Sequence, residues 1–227
     1  VKTGKVRADT TVVSANVEYP TDSGLLAGAV VAIGTLVRRI KAAGGATRTA
    51  FRDAAQTATA LVHAIGKNLR LRTAQAKQEA QATVLRLTGQ LAELADQAIT
   101  DAGPVLDNAR RALRRVAGRP RGQLRKAINE LSTMVIRAAK VIAQTRRRIA
   151  GDVVDSATRL VSLHDPDARP IVKGRLGKPV EFGYKAQVID NEDGLVLDYD
   201  LRIGNPADAD QLAPAIMRIR TRLGRTP

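Results

Sequence analysis

Residues typical of β-strands are confined to the two ends of this chain, and the text between them is written for helix. VRADTTVVSANVEYP (Val6–Pro20) is rich in β-branched side chains and stops at a proline. Text of that kind returns only at VEFGYKAQVID (Val180–Asp190) and LVLDYDLRIG (Leu195–Gly204), which the tight-turn sequence NEDG (Asn191–Gly194) separates. A sheet built from these segments must bring together parts far apart in sequence. The expected class is therefore α+β, a sheet domain split by a large all-α insertion.

The middle divides into several helical segments. Thr21, Asp22 and Ser23 offer capping oxygens to a helix from about Gly24 to Lys41, which Gly44-Gly45 ends. Its apolar run, Gly24–Val37, is too short to span a bilayer and predicts a buried helix. A second helical stretch starts near Thr47, with Gly66 as a possible interruption. From Leu71 to Ile99 the apolar positions Ala80, Val84, Leu87, Leu91, Leu94 and Ala98 alternate gaps of four and three, the seam of side-by-side helices. Gly103-Pro104 is read as the stop, followed by a short basic helix, Val105–Ala117, and a GRPRG turn at 118–122. Leu124, Ile128, Leu131, Val135, Ala138 and Ile142 then repeat the seam, so a helical hairpin or small bundle with basic outer faces is expected. After Asp152, Leu163–Pro179 reads as loop, and Ala207–Leu223 as an amphipathic helix with acids at its start and arginines at its end.

Composition limits the chemistry. A 44% hydrophobic content supports a core, but aromatics are only 2%, which leaves the middle to pack with Ala, Leu, Ile and Val. Cysteine is absent, which excludes disulfides and thiolate metal sites. Net charge is +15, and between Pro104 and Ala150 stand 13 Lys/Arg against Asp107 and Glu130. Such an imbalance points to a polyanionic partner, whereas a merely solvated face would carry both signs. Scarce aromatics disfavour base stacking, so the phosphate backbone of duplex DNA is the expected contact. The candidate contacts are Arg110, Arg111, Arg114, Arg115, Arg121, Arg125, Arg146, Arg147 and Arg148, with Lys173, Arg175 and Lys178 in the KGRLGK segment. That segment lacks phosphate-loop spacing and precedes a strand, so it reads as a flexible basic loop. His63 and His164 have no partner at metal-ligand spacing. Asp198 and Asp200 flank Tyr199 and read as a solvent-facing stripe. The seam leucines offer a dimerisation surface as an alternative use of the helical block.

Arg7–Leu26 (RADTTVVSANVEYPTDSGLL) and the later SLHDPDARPIVKGRLGKPVEFGYKAQVIDNEDGLVLDY with GNPADADQL together resemble the DDE transposases of bacterial insertion sequences. The nearest resemblance is to the ISNCY type, which has a helical insertion after the first catalytic strand. It implies a ribonuclease H-like mixed sheet, partial in this chain: first strand in 1–22, helical insertion in 23–163, and continuation of the core in 164–227. It implies metal-dependent DNA strand cleavage and transfer with Mg²⁺ or Mn²⁺ and three carboxylates, of which Asp9, in the DTT segment, matches the first. On spacing alone Asp9 is an ordinary strand carboxylate.

The absence of an initiator Met and the stop at Thr226-Pro227 predict a piece of a longer protein, with the second and third carboxylates further on and the piece itself inactive. The implied partners are duplex DNA, as element ends and target, and further copies of the chain in a homo-oligomer. The implied location is the bacterial cytoplasm near the nucleoid, with no membrane partner. The alternative is a non-catalytic helical DNA-binding or assembly protein.

Overall fold

The structure is a computed structural model that describes Lys2 and residues 4–70, 74–175 and 178–224, without the side chains of 74–76, 173–175 and 178. The start of the expected 71–99 helix, the centre of KGRLGK and Thr226-Pro227 lie outside the described residues. The chain forms two compact units, one of Val1–Glu18 with Asp155–Pro227, the other of Tyr19–Val154. The described elements are five helices and a four-stranded antiparallel sheet, an α+β arrangement.

The second unit is all helix: α1 (Asp22–Ala42), α2 (Ala55–Leu69), α3 (Ala74–Ala112) and α4 (Gly118–Ile149). Thr21 caps α1, its hydroxyl accepting from the Gly24 N–H at 3.0 Å. Gly44, at φ +84°, turns the chain out of α1, and the Gly45 N–H closes on the Ile40 carbonyl at 2.9 Å. A side chain on Gly45 would collide with Leu124 of α4. Leu26, Ala29, Val30, Ile33, Val37 and Ile40 bury one stripe of α1 among the other three helices. At 21 residues α1 is long and apolar enough to cross a bilayer, unlike the shorter run read from sequence, yet that stripe is enclosed in the unit.

Several expectations are overturned in this unit. The stretch near Thr47 is turn and coil, and α2 starts at Ala55, where Asp53 accepts from the Ala55 N–H at 3.1 Å. Gly66 does not interrupt α2. Pro104 does not end α3, which runs on to Ala112. The missing N–H and ring of Pro104 weaken one turn, but Ala102, Val105, Leu106 and Ala109 are all buried on the stripe that continues from Leu91, Ala95 and Ala98. Packing outweighs the local defect. The reversal instead lies at Leu113–Ala117, and GRPRG forms the first turn of α4, where a proline lacks no needed donor.

The first unit contains β1 (Val6–Ser14), β2 (Arg169–Arg175), β3 (Lys178–Asn191), β4 (Val196–Ile203) and α5 (Ala209–Leu223). Of the loop expected over Leu163–Pro179, residues 163–168 are turn and coil as read, but Arg169–Arg175 form β2. Arg169–Val172 pair with Val180–Gly183 of β3, because the IVKG stretch supplies β-branched side chains despite its flanking Pro170 and Pro179. β3 is the centre: β1 pairs along Gly183–Asn191 and β4 along Tyr184–Asp190, so these two take opposite edges. Gly183 is required where β1 crosses, since a Cβ there would collide with the Val13 carbonyl. The Asn191 side chain accepts from the Asp193 and Leu195 N–H groups and shapes the β3–β4 turn. α5 begins two residues later than expected and ends at Gly224, φ +70°. Its Ala215 and Ile219 close a core with Ile189 and Leu197.

Candidate functional site

Residues directly opposite in an antiparallel sheet share a face. Asp9 lies opposite Val188, which lies opposite Tyr199. Ala8, Ile189 and Asp198 occupy the other face, the one that α5 covers. Asp9 therefore stands on the uncovered face and is exposed to solvent, as are Tyr199, Leu201 and Ile203 of β4 on the same face, at 77%, 50% and 56%. One carboxylate oxygen accepts from the Thr10 N–H at 2.8 Å. Two residues earlier on the same face, Arg7 pairs with Asp190 across the strands. The Arg7 guanidinium holds the Asp190 carboxyl below the usual carboxylate range and leaves Asp9 out of that pair. Among the described residues β1 pairs only with β3, so its second edge is open.

A two-metal phosphoryl site needs several carboxylates converging on ions about 3.5–4 Å apart. Among the described residues no group of three His, Asp or Glu side chains converges, at Asp9 or elsewhere. Asp9 alone is too small a donor set for Mg²⁺ or Mn²⁺, and no catalytic step follows from the described residues.

On the covered face the carboxylates have structural partners. Asp198 is 2% exposed, and Arg218 of α5 donates to it from Nε at 2.9 Å and from Nη2 at 2.7 Å, with Arg222 adding a third contact at 3.2 Å. The solvent-facing stripe expected for Asp198 is thus overturned: alternation was read correctly, but α5 covers the face that Asp198 and Asp200 share. Asp208 makes no side-chain helix cap. It pairs with Lys185 and accepts from the Thr10 hydroxyl at 3.2 Å, at an open polar cleft that Asn205 also lines. Sequence reading passed over Lys185, although its period-two relation to Ile189 places it under α5.

The expected DNA contacts fall into separate groups. Arg110, Arg111, Arg114, Arg115, Arg121 and Arg125 gather where α3 ends and α4 begins, and all are exposed. Arg110 pairs with Asp107 and Arg111 donates to Asn108, while the guanidiniums of Arg114, Arg115, Arg121 and Arg125 have no partner among the described residues. Arg146, Arg147 and Arg148 lie at the other end of α4, about 30 Å away by helical rise. Each is paired: Arg146 with Asp96 at 2.7 Å, Arg147 with Asp152 at 3.7 Å, and Arg148 with Asp22 at 2.6 Å. Lys173 and Arg175 lie on β2 and Lys178 opens β3, so the described part of the segment is strand rather than flexible loop; the side chains of these three lie outside the described residues. Charge also segregates between the units. Residues 19–154 carry 23 Lys/Arg against nine acids, and the rest of the chain 14 against 13. No family model, curated protein or solved structure matches the chain.

Proposed function

We propose that the chain is the first part of the ribonuclease H-like core of a DDE-type DNA transposase, interrupted after its opening strand by a basic helical unit. The observation that carries the reading is the position of Asp9: near the middle of the first strand, on an uncovered face, on a strand that among the described residues is paired along one edge only. The antiparallel β1–β3–β4 order followed by α5 supports it, as does the helical unit between β1 and β2. In a longer chain the open edge of β1 takes a further strand bearing the second carboxylate, and Asp9 shares Mg²⁺ or Mn²⁺ with it. Such a protein acts on duplex DNA as a homo-oligomer in the bacterial cytoplasm, at the nucleoid.

A second reading, a non-catalytic DNA-binding or assembly protein, draws on one observation: the excess charge of residues 19–154 owes nothing to Asp9. A strand-transfer assay separates the two. The 227-residue chain is expected to be inactive. A version extended through the following strands should join DNA with Mg²⁺ or Mn²⁺. Asp9→Asn, which keeps shape but removes the metal-holding charge, should abolish joining while duplex binding persists. Metal-dependent cleavage by the 227-residue chain, or an active Asp9→Asn protein, would place the active site elsewhere.

A further inference from the structure

We infer that the end of the helical unit where α3 gives way to α4 is the surface that docks duplex DNA, and that the Arg146–Arg148 triplet is structural. The choice of DNA among polyanions rests on the transposase reading; the location does not. From Arg111 to Arg125 the chain carries six arginines and no acid. The C-terminal end of α1 joins the same place. Gly45 abuts Leu124, and the Asn108 side chain donates to Thr49 at 2.8 Å, which brings Arg48 beside the last turns of α3. The acids of this region are already engaged: Asp107 by Arg110, and Glu130 by Arg39 and Lys126. Arg48, Arg114, Arg115, Arg119, Arg121 and Arg125 are exposed, and their guanidiniums have no partner among the described residues.

Six such guanidiniums on one end of the bundle suit a row of phosphates, each contact releasing counterions. At the far end of α4 the positive charge is met by Asp96, Asp152 and Asp22, and Asp22 is 11% exposed. Those three arginines tie α4 to α3, to the following segment and to the start of α1. A phosphate there would have to displace carboxylates already in place.

The test is a fluorescence-anisotropy titration of the full 227-residue chain with a labelled random-sequence duplex over a range of NaCl. Replacing Arg114, Arg115, Arg121 and Arg125 by Gln should weaken binding more than tenfold at moderate salt. It should also reduce the magnitude of the slope of log K against log salt by up to about 3.6, at about 0.9 for each of the four lost phosphate contacts. The same four residues as Lys should restore most of the slope, since point charges still neutralise phosphate. The Arg146→Gln, Arg147→Gln, Arg148→Gln protein should keep the slope within about one unit and lose thermal stability. Loss of slope in the triplet variant equal to that of the quadruple variant would overturn the assignment, as would an unaffected quadruple variant. Binding of anionic phosphatidylserine vesicles without duplex binding would overturn the choice of partner. An inactive extended protein with this binding pattern intact would sink the transposase reading alone; an active one whose binding follows the triplet would sink only this assignment.

Discussion

Tyr184 shares the uncovered sheet face with Asp9, and its hydroxyl donates to Asp165 in the loop before β2. That hydrogen bond to a carboxylate, helped by partial burial, pushes the phenol up to about 12 from 10.0. The folded value is raised above the unfolded one, so the stabilisation is complete below about pH 10 and is lost as pH rises from 10 to 12. A urea-midpoint profile should therefore fall across that window in the wild type. Tyr184→Phe should start lower and remove the part of the fall due to this group; parallel profiles would show that the bond contributes nothing. Residue-scale reading of the sequence succeeded where the cause is local, as at Thr21, whose hydroxyl needs only the next three residues to cap a helix. It failed at Asp198, because the arginines that bury it lie 20 and 24 residues further on, and which face a later helix will cover is not written in the strand.

Among the elements, α4 shows how far periodicity reaches. Leu124, Ile128, Leu131, Ala138 and Ile142 are buried as the seam predicts, but Val135 is only half-buried and Met134 takes the enclosed position beside it. The reason is that α4 meets both α1 and α3, so its buried stripe is wider than a two-helix seam. Leu131 is fully enclosed, and Leu131→Ala should cost about 2–5 kcal/mol by leaving a cavity. Val135→Ala should cost less than half as much. Equal costs, read from denaturant midpoints, would mean that the narrow seam governs after all. The same logic explains Pro104 and β2. A proline or a glycine-rich stretch is a local signal, and the buried stripe of α3 and the pairing groups of β3 at Val180–Gly183 are tertiary partners that override it. Asp9 was legible as a candidate only through resemblance. Its exposure and the open edge of its strand depend on pairing with β3, more than 170 residues away in sequence.

At the scale of the whole molecule, the two units differ in what holds them and in what opposes them. The helical unit has a core of aliphatic side chains, Leu26, Ile33, Leu91, Leu124 and Leu131 among them, and an excess of 23 basic over nine acidic residues. The sheet unit closes around Ile189, Leu197, Ala215 and Ile219 and is near charge balance, at 14 against 13. Separate cores predict separate unfolding transitions, which a single two-state curve would misdescribe. Self-repulsion should lower the stability of the helical unit at low ionic strength, and screening should relieve it once the Debye length falls to about 8–10 Å. Calorimetry in rising NaCl should therefore show one transition moving up by several degrees while the other stays nearly fixed. Leu131→Ala identifies the mover, since it should lower that transition alone, and Ile189→Ala should lower only the other. A single cooperative transition, or two that respond to salt alike, would mean that charge and packing are shared across the chain rather than divided at residues 19 and 154.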